Sequence, residues 1–271
     1  MCPLTPRSPR RSLSHALGAA LIAAMAVTAF AAPASAATSA STAEAMIIGW
    51  VNTARANAHL APLRGDAKLA DLAGLRASRM ASSNTLSHTV GGNLAVQLDY
   101  RDVQWYAYGE TIGWSTSAWT VDAAKALYRM WMNSAPHRAL LMSNRLNYIG
   151  LGLAYRSSNN KTFGSAVLTE SVDHTKAVAR ITGTRRSGDD VGWTWNGYDP
   201  RLQTHTAGLR DYDVQYRIGS GTWRTIRDNT TSTSLVLPDR AHGHSYAIRV
   251  RATDRRGNVG KWTAESRIWV P

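Results

Sequence analysis

The sequence contains a single cysteine, Cys2, among its 271 residues. An internal disulfide framework and a metal cluster built from cysteines are therefore excluded. Acidic residues are also few, with 18 Asp and Glu against 31 Lys and Arg, whereas hydrophobic residues make up 44% of the chain. A chain of this length and composition can bury a substantial core, so wholesale disorder is excluded. The glycine motifs of nucleotide-binding loops and the G-x-S-x-G nucleophile elbow are absent as well.

One long apolar run occurs near the N-terminus. Three arginines precede the alanine-rich segment from Ala16 to Ala32, and Ala34-Ser35-Ala36 follows as an A-x-A cleavage site. This order is typical of a secretory signal peptide, which we place at residues 1–36. The run is weaker than the ~20 strongly apolar residues of a membrane span, so we predict cleavage and no stable span in the mature protein. Cleavage would also remove Cys2, leaving an exported chain without cysteine.

The positive charge is dispersed along the chain. Basic residues exceed acidic ones by four in residues 37–177 and by six in residues 178–271, without a block of five or six like charges. Such a surplus is typical of a solvated surface and predicts no specific nucleic-acid partner. Arg249 and Arg251 alternate with apolar residues on one predicted strand. They form either an ordinary solvent-facing strand or a stripe that holds an anionic cell-wall polymer.

The first half of the mature chain shows helical and then β periodicity. The spacing of Ser41 and Glu44 predicts a capping box at the start of the first helix. Further helices are predicted at about 66–81, 121–133 and 137–142, followed by strands at 148–155 and 162–170 that are joined by a hairpin loop. The stretch from about 84 to 119 has no clear period. A segment of that length is usually functional or contains short strands.

Aromatic residues are concentrated in this irregular segment: Trp105, Tyr106, Tyr108, Trp114 and Trp119. They are either buried, as tryptophan usually is, or they line a groove that binds lipid or sugar. Trp131, on the predicted third helix, is expected in the core.

The second half alternates between apolar and polar residues with a period of two. Tyr212 to Ile218 and Tyr246 to Ala252 are the clearest examples, and turn signals separate the runs. The remaining apolar positions of this core are predicted to be Trp193, Trp195, Trp223, Leu235, Leu237, Ile268 and Val270. About seven short strands in this length predict a two-sheet, immunoglobulin-like sandwich.

Six short motifs follow one another along residues 43–173: Val51-Asn52-Thr53-Ala54-Arg55, Ala61-Pro62-Leu63, Leu86-Ser87-His88-Thr89, Gly109-Glu110-Thr111-Ile112, Trp131-Met132-Asn133-Ser134-Ala135-Pro136-His137-Arg138 and Tyr148-Ile149-Gly150-Leu151-Gly152. In this order they resemble the CAP superfamily of cysteine-rich secretory, antigen 5 and pathogenesis-related proteins, particularly its cysteine-poor bacterial branch. The fold that this implies is an α-β-α sandwich.

Residues 178–271 resemble a fibronectin type III module. The matching residues are Leu237-Pro238, Gly243, Tyr246, Arg249-Val250 and Ala252, with Tyr246 as the corner tyrosine whose hydroxyl bonds to nearby backbone. The predicted fold class is therefore α+β, with a CAP sandwich followed by an all-β, immunoglobulin-like sandwich.

The CAP resemblance implies a central cavity lined by two histidines and two acidic residues. His88, Glu110 and His137 occupy three of those positions, and Ser134 stands where the second acidic residue would be. Two neutral imidazoles and a carboxylate can hold zinc or another divalent metal with an open fourth position. The alternative is a polar cluster that organises the cavity without an ion.

Together these features predict a secreted bacterial protein that is extracellular and associated with the cell surface or cell wall. We expect a binding protein whose cavity takes a lipid or sterol, a cell-wall component or a divalent metal. The alternative is a secreted hydrolase, a protease or cell-wall hydrolase, that uses the same cavity. No residue is assigned a catalytic role, because the sequence nominates no mechanism.

Overall fold

A computed structural model of the protein describes residues 39–271, with the exception of Ser117 and Trp119. The predicted signal peptide and the groove residue Trp119 therefore lie outside the described residues. Within the described part, none of the helices is both long enough and apolar enough to cross a membrane.

The first part of the chain folds around a four-stranded sheet with the order β1-β3-β4-β2. β1 pairs with β3 in parallel, and the other pairs are antiparallel. The elements, in chain order, are α1 (Ala40–Asn57), β1 (Arg64–Gly65), α2 (Ala67–Ser83), α3 (Leu94–Tyr100), β2 (Trp105–Ser115), α4 (Val121–Asn133), α5 (Ala135–Leu141), β3 (Tyr148–Arg156) and β4 (Lys161–Ser171).

Helices cover both faces of this sheet, which is the predicted α-β-α sandwich. α2 packs on β3 and β4, while α1, α4 and α5 contact β3 and β2. Glycine is needed at Gly150, because a Cβ there would lie 2.0 Å from the backbone carbon of Leu69. Gly152 approaches the backbone of Gly74 in the same way. The Tyr-Ile-Gly-Leu-Gly motif therefore brings α2 against the centre of the sheet.

Most element boundaries in this part agree with the sequence predictions. α4 spans the predicted residues, and α2 starts after its N-cap Asp66. The capping box at Ser41 is wrong: Ser39 is the N-cap of α1, and its hydroxyl accepts from the backbone N–H of Thr42. The irregular segment contains α3 and the long strand β2. The sequence of β2 does not alternate between apolar and polar residues, because residues 110–113 are buried on both faces of the sheet.

The second part is a sandwich of seven strands. They are β5 (Val178–Ser187), β6 (Asp190–Tyr198), β7 (Leu209–Ile218), β8 (Arg224–Thr230), β9 (Ser234–Leu237), β10 (His244–Asp254) and β11 (Ser266–Val270). One sheet has the order β11-β10-β7-β8, and the other has the order β5-β6-β9. The Tyr246 hydroxyl donates to the carbonyl of Ala241 at 3.2 Å, as expected for a corner tyrosine.

A ladder of arginine and tryptophan side chains lies on the outer face of the four-stranded sheet. Trp223 stacks between the guanidinium groups of Arg217 and Arg249, each 4.6 Å from its ring. Trp262 stacks between Arg249 and Arg251, at 4.8 and 4.6 Å. The prediction of Trp223 as a core residue is therefore wrong, because its ring packs against arginines instead of the sandwich interior. These cation–π contacts bury part of Arg249 and Arg251, which are not freely solvated.

The loop between β6 and β7 joins the two parts into one packed unit. Leu202 is 2% exposed and belongs to the apolar cluster that also contains Leu69 and Leu72 of α2. Beside it, the amide of Ala61 donates to the side-chain oxygen of Gln203 at 2.7 Å. Thr204 donates its hydroxyl to the carbonyl of Arg145 at 2.8 Å. The second part thus completes a piece of the first part's core.

The segment between β4 and β5 contains a histidine whose protonation should affect stability. The ring nitrogens of His174 face two acceptors, Asp66 Oδ2 at 2.7 Å and the carbonyl of Val172 at 3.0 Å, and the ring stacks on Tyr148 at 3.9 Å. The hydrogen bond to Asp66 raises the pKa of His174 above its ordinary value, with smaller effects from Val172 and Asp173. The imidazolium is therefore favoured in the folded state.

Because the folded pKa of His174 is raised, its stabilising contribution is complete below pH ~6.5, the unfolded value, and is lost as the pH rises through the folded value. His174→Gln should therefore lose more free energy of unfolding at pH 5.5 than at pH 9. The difference should be ~1 kcal/mol or less, because the side chain is 44% exposed. Urea denaturation at the two pH values measures this difference. If His174→Gln lowers the free energy of unfolding equally at both, the His174–Asp66 ion pair does not contribute to stability.

Candidate functional site

A buried ion pair between α2 and β2 forms the base of the site. Arg76 Nε donates to Glu110 Oε1 at 2.5 Å, and Nη2 donates to Oε2 at 2.9 Å. Both side chains are almost fully buried. The Ser165 hydroxyl on β4 adds a donor to Oε1 at 2.7 Å. The carboxylate is therefore fixed by a bidentate arginine and a serine, a geometry that holds it rigidly.

His88 lies directly on this carboxylate, with Nδ1 at 2.8 Å from Glu110 Oε2. Since an ionised carboxylate only accepts, Nδ1 carries the proton and Nε2 points away from Glu110. The side chain is 54% exposed, so the ring is partly open to solvent. Arg76 also donates to the carbonyls of His88 and Gly92, which holds the whole loop. Gly91 is required there, because a Cβ would lie 2.6 Å from the Arg76 guanidinium.

His137 comes from α5, and its ring is near enough to His88 for a charge on one ring to affect the other. Burial lowers the pKa of His137, and the positive charge that His88 can carry lowers it further. The ring is therefore neutral near pH 7, which is the form that binds metals. Its Nδ1 is buried and has no hydrogen-bond partner within the part of the chain that the structure describes. A buried nitrogen without a partner needs an explanation, and a bound ligand is one.

These observations separate the predicted metal ligands into two groups. The imidazoles of His88 and His137 have the right chemistry for zinc, and the orphaned Nδ1 of His137 fits such a role. Glu110 does not fit as a direct ligand, because its two oxygens already accept from Arg76, Ser165 and His88. It fits as the outer acceptor that orients a histidine ligand. Ser134 lies at the boundary of α4 and α5 and makes no side-chain cap.

Of the aromatic residues predicted to line a groove, some pack against neighbouring side chains and others are exposed at the surface. Trp105 is half-buried and donates from Nε1 to Asp99 Oδ1 at 3.0 Å. Tyr106 packs its ring on His205 of the second part, with centroids 4.8 Å apart. Tyr108 and Trp114 are each 39% exposed. Trp131 is fully buried, as predicted, and its Nε1 donates to the carbonyl of Ile112 at 2.9 Å.

A cluster of three carboxylates, none of them among the residues predicted for the site, lies elsewhere in the fold. Carboxylate oxygens of Asp173, Asp199 and Asp254 lie within 4.8 Å of one another where the two parts meet. Burial raises the pKa of Asp199, and the other two carboxylates add to the effect. Backbone amides donate to all three side chains. The three residues are distant in sequence and share no spacing motif, so only the tertiary fold reveals the group.

The architecture, an α-β-α sandwich with a histidine site followed by an immunoglobulin-like sandwich, was compared with known proteins. Residues 48–168 match the model of the CAP family, described as the cysteine-rich secretory protein family. This stretch of the chain is a CAP domain. No curated protein shows significant similarity to the sequence.

Solved structures from several bacteria match parts of the chain. An extracellular protein containing an SCP domain from Bacillus anthracis is 24% identical, with a TM-score of 0.41, over 48% of this chain and 41% of that one. A cysteine-rich secretory protein from Staphylococcus aureus is 23% identical, with a TM-score of 0.38, over 48% of this chain and 39% of that one. The chain therefore spans less than half the length of either. A fibronectin type III-like protein from Clostridium thermocellum is 27% identical, with a TM-score of 0.25, over 34% of this chain and 91% of that one.

Proposed function

We propose that this is an exported, extracellular binding protein whose CAP site presents His88 and His137 to a ligand. The basic, apolar and small-residue order of residues 1–36 supports export. The dispersed positive charge supports a location at an anionic cell surface or cell wall, where its polymers are within reach.

The observation that carries this proposal is the contact between His88 Nδ1 and Glu110 Oε2 at 2.8 Å, on a carboxylate anchored by Arg76. A buried ion pair is costly to desolvate and often contributes little net stability. Here the Arg76–Glu110 pair fixes the tautomer and the orientation of the His88 ring, whose side chain is 54% exposed. Nδ1 is held by the carboxylate while the side chain is exposed to this extent, so Nε2 is the nitrogen left for a ligand.

A divalent metal is the ligand that these groups suit most directly, with Glu110 acting through His88. We expect Zn²⁺ to bind to EDTA-treated protein, and His88→Gln and His137→Gln each to weaken binding at least ten-fold, because each removes one ligand. Affinity should also fall below pH ~6, since bound imidazoles must be neutral. Isothermal calorimetry gives the affinities. Imidazole ¹⁵N chemical shifts identify the nitrogens involved.

The matched control for this experiment is His242→Gln. His242 is an exposed histidine of the second part, so its loss should leave Zn²⁺ binding unchanged. Absence of heat at high micromolar Zn²⁺ would remove the metal from the proposal. Binding that survives both site substitutions would place the ion elsewhere.

The second candidate is a secreted hydrolase. The pairing of His88 with Glu110 favours it, because a histidine that acts as a general base is oriented by a carboxylate in this way. However, the Ser87 hydroxyl bonds to Thr89 at 2.9 Å and not to His88. Such an enzyme would therefore use His88 to activate water. Purified mature protein should be assayed on casein and on peptidoglycan beside the same variants. Turnover that neither substitution changes would reject this candidate.

A further inference from the structure

Exposed large apolar side chains are concentrated in one segment of the CAP domain, and three of the aromatic ones lie on strand β2. Among the described residues, six of the large apolar side chains that face solvent come from the segment between residues 86 and 114: Leu86, Val96, Tyr100, Tyr106, Tyr108 and Trp114. Scattered single residues of this kind need no explanation, but a concentration marks an interaction surface. β2, which contributes three of them, has β4 as its one neighbour in the sheet order.

Tyr108 and Trp114 lie on the same face of β2 as Glu110. Pairing with β4 is regular from Ala107 to Ser115, so side chains two residues apart point the same way. The two rings are six residues apart, which is about 20 Å along a strand. His88 lies on Glu110 between them. We call Tyr108, His88 and Trp114 the β2 strip. A ligand that touches the whole strip must be extended.

Both rings are held in place by contacts on one side. Trp105 packs edge-on against Tyr108, with centroids 4.8 Å apart and an interplanar angle of 84°, and is itself tied to Asp99. Lys161 Nζ lies 4.2 Å from the centroid of the Trp114 ring. Fixed aromatic rings that remain 39% exposed are preorganised stacking surfaces, because little side-chain entropy is lost on binding.

The chemistry between the rings favours a carbohydrate over an acyl chain. His88 and Thr89 are exposed there, with Ser87 partly exposed beside them. An acyl chain laid across these polar groups would desolvate them without giving hydrogen bonds. A chain of sugar rings offers an apolar face to each aromatic ring and hydroxyls to the groups between. Lys161, whose Nζ lies over one face of the Trp114 ring, additionally suits an anionic glycan stacked on the other face.

We propose that the β2 strip binds an extended glycan strand, in register with the histidine site. This inference rests on the proposed binding function of that site and names its ligand class. A polypeptide added to the free edge of β2 is the competing occupant, and the experiment below distinguishes the two.

The probe is the β-1,4-linked hexamer of N-acetylglucosamine, titrated into the full mature protein and followed by calorimetry and tryptophan fluorescence. We expect the hexamer to bind at least ten-fold more tightly than the monosaccharide, because it spans the strip. Tyr108→Ala and Trp114→Ala should each weaken hexamer binding at least five-fold. The matched controls are Tyr198→Ala and Trp269→Ala, which remove rings that are 54% and 56% exposed in the second part and should change nothing.

The far-ultraviolet circular dichroism and melting temperature of each variant show whether it is folded. Conservative Tyr108→Phe and Trp114→Tyr variants, which keep a ring, should retain most of the affinity. Equal affinity for hexamer and monosaccharide, or hexamer binding that survives both alanine substitutions, would overturn the proposal. An extended hexapeptide that binds in place of the hexamer, with the same sensitivity, would assign the strip to polypeptide instead. If the unsubstituted protein binds Zn²⁺ but does not bind the hexamer, this inference is rejected and the proposed function is not.

Discussion

Glu110→Gln should lower the free energy of unfolding by roughly 3 to 5 kcal/mol, the cost of leaving one member of a buried ion pair without its partner. The Arg76 guanidinium is 2% exposed, and Glu110 supplies its one carboxylate contact within the described residues. Glutamine keeps the shape but removes the negative charge. The positive charge would then be compensated by the carbonyls of His88 and Gly92 alone. Urea denaturation followed by circular dichroism measures the loss.

Two further variants make this prediction specific to the buried pair. Asp71→Asn removes a carboxylate that is 73% exposed and paired with Arg101, and it should cost less than ~1 kcal/mol. The double variant Arg76→Met, Glu110→Gln should be less destabilised than the two single losses together, because neither charge remains buried alone. A Glu110→Gln loss no larger than that of Asp71→Asn would show that the pair does not hold the site.

The same substitution also affects His88. A glutamine side-chain oxygen accepts a weaker hydrogen bond from Nδ1 than a carboxylate does, so the preference for the outward-pointing Nε2 lone pair decreases. Where the variant remains folded, its Zn²⁺ affinity should therefore fall although neither proposed ligand has changed. Stability and binding would thus depend on one carboxylate for separate physical reasons.

The sequence motifs located His88, Glu110 and His137, but they did not show what each does. The resemblance makes Glu110 a cavity residue, either as a metal ligand or within a polar cluster that holds no ion, and its carboxylate accepts from Arg76. A signal for Arg76 was present: it falls on the buried face of α2, at helical spacing from Leu69, Leu72 and Met80. A charged residue on an apolar helix face requires a buried partner. The partner itself was unpredictable, because it lies 34 residues away on a strand whose period was hidden.

Local patterns also predicted the strands of the second part and most helix ends, since period and capping are set by neighbouring residues. The arginine–tryptophan ladder was missed because alternation assigns Arg249 and Arg251 to a solvent face without showing what else reaches it. Trp223 and Trp262 reach that face from loops. The junction between the two parts was missed for a related reason. Leu202 lies in a loop without a period, and nothing local marks it as a core residue.

Leu202→Ala should lower the free energy of unfolding by about 2 to 5 kcal/mol, the usual cost of removing a fully buried leucine side chain. The side chain is 2% exposed and belongs to the cluster of Leu69, Leu72 and Tyr148, so the cavity opens inside the CAP domain although the residue belongs to the second part. We therefore expect faster hydrogen exchange at the α2 amides of Leu69 and Leu72, together with a lower denaturation midpoint.

Leu86→Ala, at an exposed leucine, is the matched control and should cost less than ~0.5 kcal/mol. If Leu202→Ala costs no more than this control, or if only amides of the second part exchange faster, the CAP domain does not depend on the module that follows it. If α2 responds as expected, that module is a structural part of the CAP domain, because Leu202 then supplies a necessary member of the apolar cluster beneath α2.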